Sequence, residues 1–159
     1  MAFLVEDGTG VEGATSYLSV SAFRAMAADR GATVPVADAA CETILVQAAD
    51  YLELKRYAGD KFYEAQGLAF PRLAADGVTA SPIPSPVVKA QYLLAIEAQN
   101  GSLTTAVRPS QYRKTKVDVL YVEYAKTDDL AEGLRFFAVD QLLDPYLGGS
   151  GGPFQVIRA

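Results

Sequence analysis

Four cations, Arg108, Arg113, Lys114 and Lys116, stand within nine residues around Tyr112, with no acidic side chain among them. Cations that neutralise phosphates beside a ring that can receive a base are the makings of a nucleic-acid contact. The same residues admit a plainer reading. In a β-strand Arg113 faces away from Lys114 and Lys116, which divides the charge between two faces, and Tyr112 alone is a thin stacking platform. A lysine-rich strand is also the usual protection of an exposed sheet edge, and that reading is favoured here.

Other chemistry is harder to assemble. Asp128 and Asp129, with Glu132 nearby, form the densest carboxylate group. Acids ahead of a helix commonly serve as caps and as partners of its dipole. The chain has no histidine, so the usual general base near neutral pH and the usual transition-metal ligand are both missing. Cys41, the single cysteine, falls in the helical series Cys41, Ile44, Leu45, Ala48, Leu52, which makes it a core residue rather than a nucleophile. Zinc lacks a second cysteine, and the DxDxDG calcium pattern is absent. Gly8-Thr9-Gly10 looks like part of a phosphate-binding turn, but no Gly-Lys-Ser/Thr follows it. The expectation is a protein that is not an enzyme, with no catalytic residues, no metal and no cofactor.

At 159 residues the chain is one domain by size, residues 1–159, and is long enough to bury a core without a staple. The opening MAFLVEDGTG has no basic region followed by an apolar run, so a soluble, cytoplasmic product is expected. The most apolar stretch, Ser85 to Gly101, is too short for a membrane span and carries Lys89 and Glu97, so no membrane contact is expected. A net charge of −5 disfavours nonspecific binding to phosphates by the protein as a whole.

The elements that must position any functional residue are helical for most of the chain. In Ser85 to Gly101, Ser85 suits the N-cap, Pro86 the first helical position and Gly101 the stop. Val88, Tyr92, Ala95 and Ile96 make one apolar stripe, and Val87, Ala90, Leu93 and Leu94 a second beside it. Lys89, Gln91 and Glu97 interrupt them, and a helix apolar over that width is buried on two sides. Before it, Ser19 or Ser21 caps a helix to about Arg30, with Val20, Phe23, Met26 and Ala27 inward and Gly31 as its end. Asp38 caps a second helix to about Lys55, whose opposite face, Glu42, Gln47, Asp50 and Glu53, reads as solvated. The connection from Tyr57 to Pro86 is long. Its Tyr57, Phe62, Tyr63, Leu68 and Phe70 predict a loop packed on the helices.

Beyond Gly101, Gln111 to Lys116 and Leu120 to Ala125 predict a β-hairpin, which needs a partner surface because a lone hairpin is marginal in water. A short helix follows from about Phe136 to Leu147, with Phe137, Val139 or Asp140, Leu142, Leu143 and Tyr146 in amphipathic order and Pro145 weakening its last turn. The chain then runs through GGSGG into Phe154, Val156 and Ile157, an extended arm over residues 148–159. The predicted fold is mainly α, a compact bundle of about four helices over residues 19–147. It carries a β-hairpin at 111–125 and a short extended C-terminal tail. The tail either folds back beside the hairpin or adds a strand to a neighbour.

The order of these segments resembles a family of small tailed-phage and prophage proteins. The resemblance rests on EDGTGVEGATSYLSVSAFRAMAADRG, ILVQAADYLE, QGLAFPR and PSPVVKAQYLLAIEA, followed by the hairpin YRKTKVDVLYVEYA and by VDQLLDPYL before glycines. It covers nearly the whole chain, with Phe70 standing where the family is expected to carry tryptophan. Such sequences have two descriptions, a DnaT-like single-stranded-DNA-binding protein and a head-to-tail connector, or head completion adaptor. The adaptor description implies a bundle subunit that is made in the host cytoplasm and sits in the virion neck. There it forms a ring, dodecameric in expectation, beneath the portal protein and extends the channel through which duplex DNA passes. It would also dock a stopper or tail-completion protein, with Val119, Tyr121, Phe154, Val156 and Ile157 as the expected ring and portal contacts. The alternative, a single-stranded-DNA-binding replication accessory protein, uses Arg108, Tyr112, Arg113, Lys114 and Lys116. The acidic balance favours the adaptor, because an acidic ring lets DNA pass without sticking.

Overall fold

Ser19 opens the first helix as its residue type predicts, with an extended backbone and a hydroxyl that accepts the Ala22 N–H at 3.2 Å. This helix, α1 (Val20–Asp29), buries Phe23 and Ala27 and gives way to Gly31 at φ +65°. It belongs to a computed structural model that describes residues 2–74, 80–101, 103 and 136–148.

The second helix, α2 (Asp38–Glu53), turns Cys41, Ile44, Leu45, Ala48 and Leu52 into the core. Asp38 does not cap it. Ala37 occupies the cap position without a side-chain bond, and Asp38 is the first helical residue, its carboxylate 2.6 Å from Arg24 of α1. An acid there still meets the helix dipole favourably. Arg24 also donates to the carbonyls of Pro35 and Val36, so one guanidinium shapes the turn between the two helices.

The third helix, α3 (Ser85–Ala98), lies between α2 and α4. Its start differs from the expectation by one residue. Pro84, with an extended backbone, offers its carbonyl to the N–H groups of Val87 and Val88, which leaves Ser85 already helical and Pro86 second. Its end is also earlier, since the helix stops at Ala98 and turns through Gln99 and Asn100 before reaching Gly101. Val87, Ala90, Leu94 and Ala95 are fully buried while Lys89 and Glu97 are exposed. Each fully buried leucine of this core contributes roughly 1.5–3 kcal/mol by leaving water.

Helix α4 (Phe137–Leu143) continues into a tighter turn, Asp144–Tyr146, where Pro145 removes an α-helical donor. Val139 and Leu143 face inward. Phe137, expected on the buried side, is 76% exposed. It precedes Val139 by two residues, about 200° around the helix, so one face cannot hold both. Lys55 at the end of α2 reaches Asp140 at 2.7 Å and ties α4 down.

Among the described residues the only sheet is a two-stranded antiparallel pair, β1 (Arg72–Leu73) with β2 (Ala80–Ser81), in the register Arg72↔Ser81 and Leu73↔Ala80. The fold is mainly α, as predicted. The hairpin at 111–125, the acids Asp128, Asp129 and Glu132, and the arm from residue 149 onward lie outside the described residues.

Candidate functional site

The QGLAFPR stretch, one of the segments on which the family resemblance rests, is spent on holding its own loop. Buried Gln66 accepts the Tyr63 N–H at 2.9 Å and donates to the carbonyls of Leu68 and Pro71 at 2.7 and 2.9 Å. Phe70 and Pro71 are joined by a cis peptide bond. The Arg72 guanidinium donates to the carbonyls of Ala58, Ala69, Tyr57 and Gly59 and lies over the Phe70 ring at 5.9 Å. Phe70 itself meets Tyr17, Tyr57 and Tyr146 edge to face. The predicted packed loop is present, although Tyr63, expected as an anchor, is 54% exposed. These polar groups satisfy backbone that no regular ladder serves, so they offer little to a ligand.

The N-terminal loop is organised in the same way. Glu6, 3% exposed, accepts the N–H groups of Gly8, Gly10 and Val11 at 2.8–2.9 Å. A carboxylate wrapped by its own glycine-rich turn excludes the phosphate that the Gly-x-Gly spacing superficially invites. Gln91 of α3, fully buried, takes the Tyr17 N–H at 3.0 Å and donates to Ser16 Oγ at 2.8 Å and the Leu45 carbonyl at 3.0 Å. One side chain thus joins the N-terminal loop, α2 and α3. On the sequence Gln91 is a polar interruption of an apolar helix, and it is the buried hub instead.

Glu53 is a second correction. Expected on a solvated face, it turns inward, where it accepts the Tyr17 hydroxyl at 3.1 Å and the Ala69 N–H at 2.8 Å on one oxygen. Burial pushes its carboxyl above its ordinary 4.5, against the opposing pull of those two hydrogen bonds and of the Lys61 and Arg72 charges. Burial and the Glu53 charge raise the Tyr17 and Tyr57 hydroxyls as well, so both stay protonated. A carboxyl raised on folding contributes stability below its unfolded value and loses that contribution as pH rises through its folded value. Wild type should therefore lose stability relative to Glu53→Gln as pH rises from the ordinary carboxylate range toward neutrality, read as urea midpoints of the two proteins along a pH series. A constant difference between them would refute the assignment.

A cleft of about 530 Å³ opens between the end of α1, the last turns of α3 and the start of α4. Arg30, Ala32, Leu93, Ile96, Phe136 and Phe137 are among its walls, with Glu97 on its lining and Tyr92 beneath. The Arg30 guanidinium lies over the Tyr92 ring at 4.8 Å and donates to the Met26 carbonyl at 2.8 Å.

Arg108, Tyr112, Arg113, Lys114 and Lys116, and equally Val119, Tyr121, Phe154, Val156 and Ile157, lie outside the described residues. Among the described residues no three His, Cys, Asp or Glu side chains group as metal ligands, and no helix is long and apolar enough to cross a membrane. Cys41 is buried in the core, its thiol on the Pro35 carbonyl.

The described residues therefore define a small helical scaffold whose polar side chains mostly brace its own loops. Over residues 1–159 the chain matches the family described as "Putative DnaT-like ssDNA binding protein", and it belongs to that family. No curated protein and no solved structure matches it. The family description agrees with the single-stranded-DNA alternative, and nothing in the comparisons speaks for a neck adaptor.

Proposed function

We propose that the protein is a noncatalytic single-stranded-DNA-binding module that assists replication. The observation that carries this reading is the family match across the whole chain. The local charge pattern supports it, because the run from Arg108 to Lys116 holds four cations and no acid in a chain of net charge −5. An acidic remainder disfavours broad adhesion to duplex and concentrates attraction on that run. Titration of a labelled oligothymidine at several salt concentrations tests it. Binding should lie in the micromolar range or weaker, with log K falling against log salt at a slope of about −3 if all four cations contact phosphates. Replacing Arg108, Arg113, Lys114 and Lys116 with glutamine should flatten that slope. Absence of measurable binding near physiological salt would remove the reading.

The acidic balance favours a second reading, a ring-forming neck adaptor bound to a phage portal protein and a stopper or tail-completion protein. In that reading duplex DNA passes through the ring without specific contact. Electron microscopy of the protein mixed with its cognate portal decides it. If no ring forms there, and deletion of residues 148–159 leaves particle assembly intact, this reading falls.

A further inference from the structure

We infer that Asn100 and Gly101, in the turn that ends α3, form a self-modification site where the asparagine amide is lost through a cyclic imide to give aspartate and isoaspartate. The site does not depend on what the protein binds. The reaction needs a side-chain amide, a following backbone nitrogen that can reach it, and solvent. Asn100 is the only asparagine of the chain, and a glycine follows it. Both residues are exposed. Among the described residues nothing lies within 4 Å of where a Cβ on Gly101 would stand, so neither a side chain of its own nor a neighbour obstructs its nitrogen. The two reacting groups are also unrestrained. Among the described residues the Asn100 side chain makes no hydrogen bond, and the Gly101 N–H reaches the Ala98 carbonyl only at 3.4 Å.

Asp7 and Gly8 are the other pair among the described residues that could close such a ring, and they are guarded. The Asp7 carboxylate accepts the Thr9 N–H at 3.0 Å and the Thr9 hydroxyl at 2.6 Å, while the Gly8 N–H is bonded to Glu6 at 2.9 Å. The Thr9 bonds hold the Asp7 carboxyl below its ordinary range, so it stays ionised and has no leaving group. At Asn100 the leaving group is neutral. A base of the medium takes the Gly101 amide proton, the nitrogen bonds to the Asn100 Cγ, and the side-chain nitrogen departs with a proton as ammonia. Proximity within one chain is what makes so weak a nucleophile effective. Water then opens the imide at either carbonyl. Cleavage of the new Cγ–N bond leaves aspartate, and cleavage of the original peptide bond leaves isoaspartate, whose backbone runs through Cβ and Cγ. Either product adds one negative charge to a chain of net charge −5, at a helix end where the dipole disfavours an anion. Isoaspartate also lengthens the backbone between Ala98 and Leu103, both buried.

The test is incubation of the full-length protein for days in heavy-oxygen water at mildly alkaline pH, folded and in urea, followed by peptide mass mapping. The peptide spanning Asn100 should gain a heavy-oxygen carboxyl with an equal amount of ammonia released, and the folded protein should react within severalfold of the rate in urea. Asn100→Gln, which needs a larger ring, should release no ammonia on that timescale. A folded protein that keeps its amide while the chain in urea loses it would show that the fold guards this turn, and would overturn the proposal. Retention of the amide in both would overturn it as well. Isoaspartate that forms equally in wild type and Asn100→Gln, without ammonia, would place the reaction at an aspartate–glycine pair and likewise overturn it.

Discussion

Gly67→Ala is expected to lower stability by about 2–3 kcal/mol, a large loss for one methyl group. An added Cβ would drive into the Ala14 carbonyl oxygen and sit 2.6 Å from the Ala14 amide nitrogen. Both are backbone atoms of a loop that is itself pinned, so neither can swing aside as a side-chain tip would. Moving residue 67 away instead would break its N–H bond to the Val11 carbonyl and the pairing of Glu12 with Gln66, and would disturb the Gln66 knot. Gly31→Ala is the control. It has nothing within 4 Å of an added Cβ but φ of +65°, so it should lose only the backbone term, about 1 kcal/mol. Urea denaturation of the three proteins measures both, and equal losses would show that close approach to Ala14 does not matter.

Gln91→Leu should cost about 3 kcal/mol although it keeps the side chain's size and adds apolar character. The loss comes from what is left behind. The Tyr17 N–H loses its acceptor in a buried site, while Ser16 Oγ and the Leu45 carbonyl each lose a donor. A leucine that proved neutral would mean that the N-terminal loop finds other partners. The denaturation midpoint tells the two apart, and an unchanged urea slope would show that the loop remains docked in the mutant.

The four helices were legible because their signals are local. The spacing of Cys41, Ile44, Leu45, Ala48 and Leu52 needs only a period, and Ser19 needs only its own backbone to act as cap. Helix starts shifted by a residue at Asp38 and Ser85, since Arg24 and Pro84 competed for the roles that local rules give to the nearest polar residue. What sequence could not disclose was which polar residues turn inward. Glu53 reads as part of a solvated face and Gln91 as an interruption of an apolar stripe, and their partners, Tyr17, Ser16 and Ala69, are distant in the chain. Phe137 erred the other way, placed in the core because it is apolar when its angular position forbids it. The candidate site was legible only as the composition of Arg108 to Lys116. The cleft required α1, α3 and α4 to meet, which no spacing encodes.

The bonds of Gln91 also bear on how the chain matures as it is made. Tyr17 and Ser16 wait for a partner 74 and 75 positions downstream, and Gly67 must be in place to receive the neighbouring turn. During synthesis at about 5–20 residues per second, the first segment to leave the ribosome spends roughly 4–15 s without the side chain that holds it. Helices α1 and α2 emerge complete in that interval, with their apolar faces uncovered. The end of the protein made first is thus sealed only after α3 appears.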